Sequence, residues 1–138
     1  MQMEGQGPHH DGRFFPYQDT TGIWTIGYGH NLEAKGLPDD LVMMLFRGDI
    51  ADALDAVRLN CSCYDQLSRP RQLVLMSLGF QFGKDGLAKW PRFLAAVHLS
   101  QWDEAADELL ASKVAQVQAP GRFQQLAMMM RTNTSAWI

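Results

Sequence analysis

The chain has 138 residues, of which 46% are hydrophobic and 20% are charged, and its formal net charge at neutral pH is −3. This length fits one domain, and the apolar fraction is high enough to build a core, which excludes a disordered chain. The slight acidic excess argues against nucleic acid as a partner, because phosphate binding depends on lysine and arginine. No apolar run approaches the roughly 20 residues of a membrane span, so we expect no membrane insertion.

The first residues predict a different structure from those that follow. Residues 1–12 contain three glycines and a proline, and we expect a flexible segment in which His9 and His10 are solvated and bind no metal. From Arg13 onward, β-forming residues alternate with glycine and threonine turn signals. This pattern predicts a small antiparallel β lobe over about 13–35.

The remainder of the chain predicts helices. Pro38 and the two acids after it open a linking helix over about 38–58, whose apolar residues recur at helical spacing. A helical lobe follows over about 65–138, and its central helix is apolar nearly all round. Strands that are segregated from helices indicate an α+β fold, with two lobes and a cleft between them in a single domain over 13–138.

Particular residues are predicted to start and stop the helices of this lobe. Ser68 and Ser100 are the expected caps of two helices, because serine accepts hydrogen bonds from the free amides of a first helical turn. Gly83 and Gly86 are expected to end the central helix. A last helix is predicted to begin at Pro120 and to have Phe123, Leu126, Ala127 and Met130 on one side.

The two cysteines, Cys61 and Cys63, are too close in sequence for an ordinary disulfide framework. The chain has no second cysteine pair to complete a zinc site. We therefore expect two reduced thiols at a helix end, no metal and no cofactor.

The stretch Y-Q-D-T-T-G-I-W-T-I-G-Y-G-H at 17–30 closely resembles the catalytic hairpin of the phage-type lysozymes, glycoside hydrolase family 24. Further segments resemble the same family in the same order: F-Q-F-G-K-D-G at 80–86, Q-W-D-E-A-A at 101–106, P-G-R at 120–122 and M-R-T-N-T at 130–134. The resemblance extends from about Arg13 to the C-terminus. It implies a lysozyme-like fold and an endolysin.

An endolysin of this family hydrolyses the β-1,4 bond between N-acetylmuramic acid and N-acetylglucosamine in peptidoglycan, which lyses bacteria. The resemblance therefore implies peptidoglycan glycan strands as the partner, and we expect a monomer. The sequence shows no charged start followed by an apolar stretch, as a secretory signal would. We therefore expect the protein to accumulate in the host cytoplasm and to act on the wall after release.

The resemblance also assigns the hairpin residues. Asp19 and Thr25 match the aspartate and threonine that position a water on one face of the sugar, while a glutamate acts as general acid. An inverting glycosidase needs two such carboxyl groups, one to donate a proton and one to orient water. Taken singly, Asp19 is also typical of a turn-capping aspartate, and Thr25 of a plain strand residue.

Other family positions fall on residues that would contact the substrate or the acid. Asn31 follows His30 at the expected cleft edge, although a histidine in such a hairpin is more often structural. Phe80 matches a sugar-facing position, with core packing as its alternative, and Gln81 matches a polar contact. Arg122 matches an arginine that pairs with the catalytic glutamate, with a solvated helix residue as its alternative.

The general acid departs from the family pattern. His10 occupies the expected position of the glutamate, and residues 1–12 are too few to build the helix that precedes it in the family. Asp11, followed by Gly12, fits if one residue is deleted, although its side chain is one methylene shorter. Glu4 keeps the glutamate but needs several extra loop residues. We favour Asp11 over Glu4, and a catalytically dead peptidoglycan-binding module stays open beside the active muramidase.

Overall fold

The computed structural model of the protein describes residues 6–135. Its contacts divide the chain into two compact units, Met1–Leu45, here called the β unit, and Phe46–Ile138, the helical unit. The boundary lies inside a long helix. Strands occur in the β unit, and most of the helices occur in the helical unit, so the fold is α+β, as the sequence predicts.

The β unit contains two small antiparallel sheets. Strands β1 (His9–His10) and β2 (Arg13–Phe14) form the first. The second has three strands in the order β3 (Tyr17–Gln18), β4 (Trp24–Ile26) and β5 (His30–Asn31). Helix α1, Leu32–Lys35, follows directly.

The strands begin earlier than the sequence predicts, because residues 9–12 form a strand and a turn where we expect a flexible segment. Asp11 and Gly12 form the two-residue turn between β1 and β2, with φ angles of +52° and +74°. Asp-Gly is a favoured pair for a hairpin turn that needs positive φ at both positions. The segment before β1 is also held, since the Gly7 amide donates to the Gly27 carbonyl over 2.8 Å. A Cβ at Gly7 would clash with the ring of Tyr17, so the backbone lies directly against that ring.

Helix α2 spans Asp39–Asn60, close to the linking helix predicted over about 38–58. Asp39 and Asp40 lie in its first turn, where carboxylates favour the positive helix end. The apolar run Leu41–Phe46 is exposed throughout, and each residue has 40 to 67% of its surface accessible to solvent. The buried residues of this helix lie in its second half and are Ala53, Ala56 and Val57.

The helical unit continues with a one-turn 3₁₀ helix at Tyr64–Gln66. Five α-helices follow: α3 (Arg69–Leu87), α4 (Pro91–His98), α5 (Trp102–Ala111), α6 (Lys113–Val117) and α7 (Pro120–Thr132). Proline lies in the first turn of α3, α4 and α7, where its missing amide costs no helical hydrogen bond.

The core of the helical unit is built around α3 and α7. Its largest fully buried side chains include Phe93, Phe123, Leu75, Leu78, Leu109, Leu126 and Met129. Helices α2 and α3 cross closely at Gly79, where a Cβ would lie 2.7 Å from a Val57 methyl group and 2.9 Å from the Ala53 carbonyl oxygen. A glycine is therefore needed at this crossing.

Ser68 and Gly83 mark helix boundaries as the sequence predicts, whereas Ser100 does not. Ser68 is the N-cap residue of α3, but its hydroxyl donates to the Asn133 side chain and to no helix amide, so it connects the start of α3 to the end of α7. Ser100 has a positive φ of 57° and α5 begins only at Trp102, so Ser100 is not its cap. The regular helical backbone of α3 is interrupted at Gly83, whose φ of +70° suits a residue without a Cβ, and helical turns continue beyond this kink to Leu87.

Candidate active site

The Asp19 carboxylate lies in the loop between β3 and β4 and holds that loop closed. Its Oδ1 atom accepts hydrogen bonds from the Thr21 amide at 2.8 Å, the Thr21 hydroxyl at 2.7 Å and the Ile23 amide at 3.0 Å. The Asp19 amide in turn donates to the Ile23 carbonyl over 2.9 Å. Aspartate is favoured in such turns because its short carboxylate reaches the amides two to four residues ahead.

These donors lower the pKa of Asp19 below its usual value of 3.8, with the Ile23 amide as the largest cause and Thr21 next. Hydrogen bonds to the charged form stabilise it, so Asp19 is ionised near neutral pH. Within residues 6–135 all three side-chain bonds fall on Oδ1, and Oδ2 accepts none. The carboxylate is therefore fixed in orientation and keeps one oxygen for another donor.

Thr25 lies on the neighbouring strand and is nearly fully buried, with 4% of its surface exposed. Its hydroxyl donates to the Ile23 carbonyl over 2.8 Å. Ile23 thus binds Asp19 through its amide and Thr25 through its carbonyl, which brings both residues into one hydrogen-bonded hairpin. Since the hydroxyl proton is already used, Thr25 can offer a water molecule only an acceptor lone pair.

Asn31 and His30 connect the sheet to helix α1. Asn31 pairs with Thr25 across β4 and β5, and its side-chain oxygen accepts the Ala34 amide over 2.9 Å, which caps α1. His30 Nε2 lies 2.6 Å from the Gly36 carbonyl oxygen. A carbonyl can only accept, so Nε2 carries the proton in this contact. Both residues thus have structural contacts, and among residues 6–135 the Asn31 side-chain nitrogen donates no hydrogen bond, so it can contact a ligand.

Of the two candidate acids, Asp11 lies among the described residues and Glu4 does not. Asp11 lies at the tip of the β1–β2 turn, where its side chain is 94% exposed and 3.4 Å from His10 Nδ1. General acids of glycosidases are usually held in apolar surroundings that keep the proton bound near neutral pH. This turn provides no such surroundings. Glu4 lies outside the described residues, so the choice between Asp11 and Glu4 stays a prediction.

Phe80 borders a groove within the helical unit. Its ring is 48% exposed and lies 6.1 Å from the Phe46 ring, centroid to centroid. The groove has a volume of about 530 Å³ and is lined by Asp49, Asp52, Ala53, Asp55, Ala56, Leu59, Gly79, Phe80, Gly83 and Lys84. Gln81 is exposed on α3 and does not line it.

Sequence reasoning missed the acidic wall of this groove. Asp49, Asp52 and Asp55 follow one another at three-residue intervals, a spacing that keeps side chains near one another on a helix surface. This three-residue spacing is the feature of the sequence from which the acidic wall could have been predicted.

Arg122 fastens α7 to α3. Its Nη2 atom donates to the Ser77 hydroxyl at 2.5 Å and to the Ser77 carbonyl at 3.3 Å. Arg122 is half-buried, so these contacts replace part of its lost hydration. The pairing of Arg122 with a catalytic acid stays a prediction.

Comparison with known proteins gives a match across most of the chain. Residues 9–128 match the family model described as phage lysozyme. The chain belongs to the phage lysozyme family. The phage lysozyme match begins at His9, where β1 begins, and ends within α7, so it includes Asp19, Thr25, Phe80 and Arg122.

A curated relative extends this finding. The chain is 27% identical over 117 residues to the pre-baseplate central spike protein Gp5 of Enterobacteria phage T4. The match covers 64% of this chain and 20% of Gp5, so the chain spans about a fifth of the length of Gp5. In the described part of the chain, no helix has the length and apolar character needed to span a membrane.

Proposed function

We propose that the protein is a muramidase that hydrolyses the β-1,4 bond between N-acetylmuramic acid and N-acetylglucosamine in peptidoglycan. Asp19 is its water-orienting carboxylate. The observation that carries the proposal is the Asp19 loop, in which three donors fix one carboxylate oxygen and leave the other open. Membership of the phage lysozyme family supports the substrate class.

The chemistry assigns opposite protonation states to the two carboxyl groups. In an inverting glycosidase, one carboxylic acid protonates the leaving oxygen while a carboxylate on the other sugar face takes a proton from the attacking water. The hydrogen bonds that lower the Asp19 pKa favour its ionised form, which suits the second role. Thr25 acts as a positioning residue, since it bonds the carbonyl of the residue whose amide holds Asp19.

We propose Asp11 as the proton donor, with Glu4 as its rival. A second function is favoured by one observation, the 94% exposure of the Asp11 side chain on an open turn. If neither carboxyl group donates a proton, the protein is a glycan-binding module that does not hydrolyse its ligand.

The cellular setting is part of the same proposal. We propose that the protein acts as a monomer on glycan strands of the bacterial wall and causes lysis there. It would reach the wall from the host cytoplasm after release.

The decisive experiment measures the release of reducing ends from purified peptidoglycan. Asp19→Asn keeps an oxygen that can accept the loop hydrogen bonds but removes the charge. We expect activity to fall by about 10²–10⁴-fold while thermal unfolding changes little, because general base catalysis is worth that much. Asp85→Asn, on an exposed residue of α3, is the matched control and should retain activity. Full activity of Asp19→Asn would overturn the role of this residue.

A second pair of variants identifies the acid. Asp11→Asn should abolish hydrolysis and Glu4→Gln should leave it intact, whereas the reverse result assigns the role to Glu4. The same samples are tested for sedimentation with insoluble peptidoglycan. Wild-type protein that sediments with peptidoglycan but releases no reducing ends would establish the binding module and exclude the muramidase.

A further inference from the structure

Two cysteines and a histidine converge at one end of the helical unit. Cys61 directly follows α2, Cys63 precedes the 3₁₀ helix, and His98 is the last residue of α4. One ligand atom from each lies within 4.8 Å of the other two, and the two sulfur atoms are 2.8 Å apart. Among the described residues this is the one group of three or more such side chains. The sequence does not reveal it, because His98 is distant along the chain.

The backbone around both cysteines is held in place. The Cys61 amide donates to the Val57 carbonyl over 2.8 Å, and the Cys61 carbonyl accepts the Tyr64 amide over 3.1 Å. The Cys63 carbonyl accepts the Gln66 amide over 3.0 Å. The two thiols therefore project from a short segment that is fixed by the end of α2 and the 3₁₀ helix.

The surroundings favour a cation. The carboxyl ends of α2 and α4 meet here, and the C-terminus of a helix carries partial negative charge. His98 Nε2 lies 3.3 Å from the Ser62 hydroxyl. Metal binding through Nδ1 would keep this contact, because an imidazole that ligates a metal through one nitrogen commonly hydrogen-bonds through the other.

We propose that Cys61, Cys63 and His98 form a zinc site. Two thiolates and one imidazole are ligand types that zinc binds, whereas calcium and magnesium bind oxygen ligands. Zinc–sulfur bonds of about 2.3 Å in tetrahedral geometry separate two sulfurs by about 3.8 Å, so the pair opens by about 1 Å. Cys61 is buried, Cys63 half-buried and His98 exposed, so the fourth position faces solvent and takes water.

A metal here would clamp the end of α2 to the end of α4. Both helices contribute to the core of the helical unit, through Val57 and Phe93 among others. Zinc that binds the folded arrangement and not the separated ligands stabilises the folded state. The site is independent of Asp19 and the proposed hydrolysis, so its test needs no activity measurement.

The test uses untagged, full-length protein purified under reducing conditions. Zinc content is measured by mass spectrometry after dialysis, and Co²⁺ is then titrated to detect thiolate-to-cobalt charge-transfer absorption. We expect about one zinc per chain and a cobalt spectrum with sulfur ligands. Cys63→Ser and His98→Gln, which leave the buried Cys61 in the core, should each weaken zinc binding by more than about 100-fold.

Controls separate this site from adventitious binding. His10→Gln removes an exposed histidine beside a carboxylate and should bind zinc as the wild type does. A chelator should lower the unfolding temperature of wild-type protein and leave that of Cys63→Ser unchanged. The proposal is overturned if the wild type holds neither zinc nor cobalt, if its two thiols are found as a disulfide instead, or if His98→Gln binds zinc as tightly as the wild type.

Discussion

In the helical unit the side chains of Leu78, Phe93 and Phe123 are fully buried, whereas among residues 6–45 the one buried side chain is that of a threonine, Thr25. The helical unit thus has an apolar core. The β unit keeps its form through hydrogen bonds at its turns and strand ends, such as those of the Asp19 carboxylate. We therefore expect the helical unit to be most sensitive to the loss of buried apolar side chains, and the β unit to be most sensitive to the loss of hydrogen-bonding groups.

The largest effect is expected in the apolar core. Phe123→Ala should lower the free energy of unfolding by about 3–5 kcal/mol, because it removes a fully buried ring and leaves a cavity. Urea unfolding followed by circular dichroism measures this change. Val117→Ala, at a residue that is 79% exposed in the same unit, should change stability by less than about 0.5 kcal/mol. Equal effects of the two variants would contradict an apolar core around Phe123.

A smaller effect is expected where α2 and α3 cross. Gly79→Ala should cost about 1–3 kcal/mol, since the new methyl group would lie within 2.9 Å of the Ala53 carbonyl oxygen. Gly48→Ala in α2 is the matched control, because a Cβ there meets no atom within 4 Å. It should stabilise the helix by up to about 1 kcal/mol. The two substitutions should therefore shift the urea midpoint in opposite directions, and a midpoint of Gly79→Ala at or above that of the wild type would show that the crossing tolerates a side chain.

The smallest effect concerns the hydrogen bonds of the β unit. The folded-state pKa of Asp19 is lowered, so its stabilising contribution is complete above the unfolded pKa and is lost as the pH falls through the folded value. Thr21→Val removes the hydroxyl donor and should raise the Asp19 pKa toward 3.8. Carbon NMR of the carboxylate during an acid titration measures the shift. Thr20→Val, at the neighbouring position of the same loop, should leave the Asp19 pKa unchanged, and an equal shift in both variants would refute the role of Thr21.

Apolar spacing predicted part of the fold well. The last helix begins at Pro120 and buries Phe123, Leu126, Ala127 and Met130, as that spacing indicates. Apolar spacing also predicted α2, although Val42, Phe46 and Ile50 in its first half are exposed. Periodicity shows which residues share a helix face, but it does not show whether another element covers that face.

The candidate site was predictable only where one local motif contains it. The hairpin motif placed Asp19 and Thr25 together, because Asp19 lies in the short loop that leads into β4 and Thr25 lies on β4. Asp11 and Gly12 were interpreted as part of the family motif, and their simpler interpretation as an Asp-Gly pair that favours a two-residue hairpin turn was missed. The approach of His98 to Cys61 depends on how helices pack, and no local pattern contains that information.

The uneven burial of α2 has a consequence for the dynamics of the helix. Residues 41–46 keep helical hydrogen bonds without buried side chains, while Ala53, Ala56 and Val57 are packed into the core. Backbone amides exchange with solvent through local opening, which needs little free energy where few apolar contacts are broken. Amide exchange should therefore slow progressively from the first turns of α2 to its last. Amides in the first turns would exchange through local fraying of the helix, whereas those in the last turns would exchange only through global unfolding.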